Sequence, residues 1–178
     1  MNLFQVKELL QTNSIPFEEY EYENEAEFLN HILSNPYIKN SKTSKFYTLI
    51  IYSQNGKRHI ELEFEEKNGD FIFWDLWFGE FCLEYFNCNI SADDLLDEIR
   101  QMMMGNRGVI IKNNAKNNRW IASVQFDLDD NDDDLYGKQG FEKTVKSIHK
   151  KKSFIKKLLG ISHSYEIYNW NTYEKIVK

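Results

Sequence analysis

The chain has 178 residues, 42% apolar and 28% charged, with 2 prolines and 8 glycines, which fits one globular core or two small ones and excludes long linkers. Its net charge of −6 hides an asymmetry: residues 1–99 hold 19 acids and 7 bases, residues 100–178 hold 9 acids and 15 bases. No apolar run approaches the about 20 residues of a membrane-spanning helix, and the opening MNLFQVKELLQTN lacks the basic and apolar regions of a signal peptide.

Asn2 to Gln11 places Phe4, Val6, Leu9 and Leu10 at helical spacing and predicts a short amphipathic helix. After Ser14-Ile15-Pro16, the run FEEYEYE fits an edge strand whose glutamates discourage pairing with other chains. A second helix is predicted from Asn24, with Glu27 in a capping-box position, Phe28, Ile32 and Leu33 on one face, and Pro36 at its end. The sheet begins at Lys45. Phe46 to Ser53 is dense in β-formers, Asn55-Gly56 suits a type I′ turn, and the return strand Ile60 to Glu66 alternates strictly. Ile60, Leu62 and Phe64 face one way and Glu61, Glu63 and Glu65 the other, which predicts one buried and one solvated face.

Asn68-Gly69-Asp70 signals another turn into Phe71–Phe86, FIFWDLWFGEFCLEYF, half of it aromatic. This stretch predicts a central strand, or two strands meeting at Gly79. Strict alternation puts Ile72, Trp74, Leu76 and Phe78 on one face and Phe71, Phe73 and Trp77 on the other. Along a straight strand Cys82 and Cys88 lie roughly 20 Å apart, too far to bridge, so two thiols in a reducing, cytoplasmic setting are expected.

Ser91 caps the next predicted helix, with Asp93 and Asp94 in its first turn, Leu95, Leu96, Ile99, Met102 and Met103 as its stripe, and Gly105 as its stop. Val109–Ile111 and Trp120–Phe126 read as a hairpin around the polar loop NNAKNNR. Asp127 to Asp134 reads as a loop. From Gly140 a helix carries Phe141, Val145, Ile148, Ile155 and Leu158 or Leu159 inward towards Gly160, with HKKKS as the place for a break. The tail predicts one more strand around Tyr165 to Trp170. With no repeat and no boundary, the expectation is a single α+β domain over 1–178. Its antiparallel sheet is centred on 45–86 and extended by 109–126, with helices on one face.

Chemical motifs are scarce. Asp127, Asp129, Asn131 and Asp133 alternate as in half an EF-hand loop, but Asp132 stands where the turn needs glycine and Lys138 where a bidentate Glu belongs. His31, His59, His149 and His163 have no metal spacing, and there is no phosphate-cradling glycine loop or nucleophile elbow. Glu65-Glu66-Lys67 offers the E-x-K of a metal-dependent nuclease, with no acid between Glu27 and Glu61 to complete it from an earlier strand. No catalytic residue, metal or cofactor is expected. Lys143, Lys146, Lys150, Lys151, Lys152, Lys156 and Lys157 make the helix over 141–159 basic, which offers a regulatory or nucleic-acid contact. The acidic whole, four arginines and few interleaved aromatics argue against nucleic acid.

An acidic surface (Glu61, Glu63, Glu65, Asp127, Asp129, Asp130, Asp132, Asp133 and Asp134) beside the Trp-rich run FWDLWFGEF resembles, at the level of general type, the small immunity proteins that bacteria make against their own polymorphic or contact-dependent toxins. The resemblance implies a binding protein rather than an enzyme. Its partner would be a cognate basic toxin domain, its active site occluded by those carboxylates standing in for phosphates, with no membrane involved.

Overall fold

The computed structural model describes residues 2–23, 27, 45–53, 58–82, 90–130, 135–150 and 162–178. Asn2 opens the first helix, α1 (Leu3–Thr12), with a capping box: its side chain accepts from the Gln5 backbone at 3.0 Å and Gln5 returns the bond at 2.9 Å. Leu3, Val6 and Leu10 are buried. Phe4 lies on the exposed side, its ring edge-on to Phe71 at 5.1 Å.

Five strands follow in sequence and in space: β1 (Glu18–Tyr22), β2 (Lys45–Tyr52), β3 (His59–Lys67), β4 (Asp70–Phe78) and β5 (Phe81–Cys82) make one antiparallel sheet in that order. The charged run Glu18–Tyr22 is its edge, with Glu19 held by Lys7 and Glu21 by Lys45. The β2–β3 register is symmetric about the Asn55-Gly56 peptide, the centre the sequence marks for a turn; those two residues lie outside the described ones. Asn68 and Gly69, at φ 56° and 86°, turn β3 into β4 in two residues, as a type I′ hairpin requires.

The aromatic stretch is two strands meeting at Gly79, and the centre of the sheet is β3. Its expected strict alternation fails at one point. Leu62 pairs with Leu76 and Phe64 with Phe73, so Trp74 and Asp75 together stand opposite Glu63. This bulge flips the phase of the strand. Phe73, Leu76 and Phe78 therefore share the buried face of Ile60, Leu62 and Phe64, while Ile72 and Trp77 share the face of Glu61 and Glu65. Helix α1 packs against β4.

Ser91 caps α2 (Ala92–Met104), accepting from the Asp94 backbone at 3.1 Å and donating to its carboxylate at 2.6 Å. Gly105, at φ 82°, ends it in a Schellman motif: its N–H reaches Met102 and that of Asn106 reaches Gln101. Leu95, Leu96, Ile99 and Met102 are buried.

Strands β6 (Arg107–Asn114), β7 (Trp120–Asp127), β8 (His163–Tyr168) and β9 (Tyr173–Val177) form a second antiparallel sheet in the order β7-β6-β8-β9. Residues 109–126 thus belong to a sheet of their own and do not extend the first. The tail supplies two strands, not one, because Asn169 folds it back: its side chain accepts from Asn171 and Thr172 and its N–H reaches the Thr172 carbonyl. A bulge leaves Ile121 without a partner on β7. Helix α3 (Lys138–His149) brings Phe141, Val145 and Ile148 onto Ile110, Phe126 and Ile167 of this sheet. It stops at Lys150, whose extended ψ of 143° sets the break within HKKKS.

Among the described residues these three helices and nine strands make an α+β fold. They fall into two compact units: 1–52 with 59–99, and 53–58 with 100–178. No helix among the described residues is long and apolar enough to cross a membrane. Cys82 is a half-buried thiol in β5; Cys88 and the helix predicted from Asn24 lie outside the described residues, Glu27 apart.

Candidate functional site

Strand pairing places Glu61, Glu63 and Glu65 on one face of the first sheet, opposite Ile50, Thr48 and Phe46 of β2. The expectation that this face is solvated is wrong. Glu63 is 2% exposed, and Glu61 and Glu65 are half-buried. Alternation states which side chains share a face and is silent on what else shares it. Here the neighbours are rings: Tyr22, Phe46 and Trp74 cluster on it, and Trp77 pairs with Glu61.

Burial pushes the Glu63 carboxyl up to about 8, and the nearby carboxylates of Glu61 and Asp75 push the same way. The Trp77 indole N–H lies close enough to favour the anion but is not aligned to bond it. Glu63 Oε1, Thr48 Oγ1 and Trp77 Nε1 all lack a hydrogen-bond partner among the described residues. Glu61 is bonded to His59 Nε2. Glu63 is therefore part of the interior, and Glu61 and Glu65 are partly covered on the same face.

The acidic loop behaves differently along its length. Asp127, at the end of β7, bonds Arg107 at 2.6 Å, accepts the Asp129 backbone N–H at 3.0 Å, and donates its own N–H to Tyr136 at 2.9 Å. It is the base of the loop. Asp129 is exposed, and the Asp130 carbonyl accepts from the first residue of α3, Lys138, at 3.1 Å. Asp132, Asp133 and Asp134 lie outside the described residues. Directly after them, Leu135 is 70% and Tyr136 56% exposed. A bare leucine and a phenol ring thus adjoin a run of carboxylates, a combination the sequence contained but periodicity could not flag.

Two further constellations escaped the sequence. Glu166, 3% exposed, accepts from Arg58, from Lys175 at 3.1 Å and from Tyr173 at 3.2 Å, with the Arg58 guanidinium about 5.0 Å from the Tyr173 ring centre and 5.1 Å from that of Tyr168. Arg58 and Glu166 stand 108 positions apart, so no local signal links them. The carboxylate is enclosed by donors, which suits a structural clamp. The second is the tip of the β6–β7 hairpin, where Lys116, Arg119 and Trp120 are all exposed.

In the lysine-rich segment Lys143, Lys146 and Lys150 are exposed. Lys146 stands 3.8 Å from Glu142, and Lys151, Lys152, Lys156 and Lys157 lie outside the described residues. Among the described residues no group of three or more His, Cys, Asp or Glu could hold a metal ion. A shallow concavity on α1, lined by Gln5, Glu8, Leu9, Thr12 and Asn13, holds one carboxylate and no acid–base pair. No protein-family model, curated protein or solved structure matches this chain.

Proposed function

We propose that this protein binds and neutralises a basic protein partner in the manner of an immunity protein, occluding the active site of a toxin domain with the acidic segment between Asp127 and Tyr136. The observation that carries this reading is the exposure of Leu135 and Tyr136 beside the carboxylates of that segment. Aromatic anchors supply most of the affinity of protein interfaces, and a charged surround steers the encounter. Asp127 serves as the anchor of the loop through Arg107, and Asp129 and Asp130, with Asp132, Asp133 and Asp134 after them in sequence, are the contact carboxylates. Of the β3 glutamates Glu63 leaves the contact set because it is buried, while Glu61 and Glu65 are half-buried.

The test is co-expression with the product of the gene immediately upstream. A toxin there should be held in a tight heterodimer and its toxicity suppressed. Reversing the charge of Asp129, Asp130 and Asp132 should slow association about tenfold at low salt, and Tyr136→Ala should speed dissociation, with the unfolding midpoint unchanged in both. A complex indifferent to all four substitutions, or no complex, overturns the proposal.

A further inference from the structure

In the β6–β7 hairpin, residues 107–126 hold no aspartate or glutamate and Asp127, at the end far from the tip, is the one acid, in a chain with 28 of them among 178 residues. It carries Arg107, Lys112, Lys116 and Arg119. Several cations of the second unit have acidic neighbours: Arg58 and Lys175 meet Glu166, Arg107 meets Asp127 and Lys146 meets Glu142. Lys116 and Arg119 enter no ion pair among the described residues, and both are exposed.

Between these two cations and the strand stands Trp120, 61% exposed, whereas Trp170 is 8% exposed and Trp74 and Trp77 are half-buried. The tip that presents it is well held. Asn114 N–H reaches the Arg119 carbonyl at 2.8 Å, Lys116 N–H the Asn114 side chain at 2.9 Å, and Arg119 N–H the Asn117 side chain at 3.1 Å. Ala115 N–H reaches the Ser162 carbonyl at 3.1 Å, which fastens the tip from the side of β8. A well-held tip with a bare indole and two exposed cations that enter no ion pair among the described residues fits a polyanion that also has flat faces.

We infer that the tip of the β6–β7 hairpin binds single-stranded nucleic acid, with phosphates on Lys116 and Arg119 and a base stacked on Trp120. Stacking on an aromatic side chain is indifferent to base identity, and cations beside it track the backbone. A membrane surface is a poorer match: the apolar part is one ring and the half-exposed Ile121 on a strand, without the broad apolar face of an interfacial helix. The surface is separate from the acidic loop, and the inference stands or falls independently of the toxin-binding reading.

The experiment titrates the full-length chain into fluorescein-labelled oligo(dT) and oligo(U) of about 12 nucleotides at about 50 mM salt, following anisotropy and tryptophan quenching. Binding is expected with a log K against log salt slope of roughly −1.4, two phosphate contacts at about 0.7 each. Trp120→Ala should weaken it about tenfold and abolish most of the quenching, Trp120→Phe should restore much of the affinity, and Lys116→Glu with Arg119→Glu should remove binding. Since all three side chains are exposed, the thermal midpoint serves as the control for folding. The inference is overturned if no oligonucleotide binds, if Trp120→Ala binds as well as the wild type, or if anionic vesicles or polyglutamate capture the chain more tightly than the oligonucleotides.

Discussion

Glu63 is the residue whose environment departs furthest from what its neighbours in sequence suggest. Its carboxyl is protonated in the folded chain up to about pH 8, whereas an ordinary glutamate titrates near 4.5. Between those values the unfolded chain has released a proton that the folded chain still holds, so stability falls as pH rises through that window and levels off above it. Glu63→Gln keeps the shape and removes the titration. Urea unfolding at pH 5, 7 and 9 should show the wild type losing stability while the variant does not, the gap reaching on the order of 3 kcal/mol at pH 7. Equal pH slopes would show that the carboxyl is solvated after all. The glutamates of β3 were legible as sharing a face. That the face is interior depends on Tyr22, Trp74 and Trp77, which converge on it from two other strands.

At the scale of elements, local chemistry was readable where it acts locally. Asn2, Ser91 and Gly105 mark helix ends, and Asn68-Gly69 marks a hairpin, each through a bond or a torsion confined to a few residues. Gly69 and Gly105 both sit at positive φ, yet an added Cβ meets nothing within 4 Å at Gly69 and the Asn171 Nδ2 at 2.7 Å at Gly105. The tip of that exposed amide can swing aside. Gly69→Ala and Gly105→Ala should therefore cost similar amounts, about 1–2 kcal/mol from the backbone alone. A several-fold larger cost at Gly105 in chemical unfolding would mean Asn171 is rigidly held. What could not be read was register. The Trp74-Asp75 bulge is defined by Leu62 and Phe64 on another strand, and β8 joins β6 across the intervening α3. Both are decisions of tertiary packing that no window of sequence contains.

At the scale of the whole molecule the two compact units carry opposite charge. The first holds 19 acids and 5 bases, the second 9 acids and 17 bases. The asymmetry was plain in the sequence; its division into two sheets was not, because 109–126 read equally well as added strands of one sheet. At pH 7 the chain should be retained by a sulfonate cation exchanger at about 10 mM salt, where the screening length is about 30 Å, and released before about 150 mM, despite its net charge of −6. Flow-through at low salt would show that the basic unit's charges are neutralised internally. One consequence of the irregularity at Ile121 remains. Strand β7 borders its sheet and exposes Trp120 and Ile121 there, the sort of rim on which a sister molecule could grow a fibre. The extra residue kinks that rim, and Arg119 beside it repels a like copy, so deleting Ile121 should straighten the edge and make it a nucleus for self-assembly, seen as light scattering that grows with time.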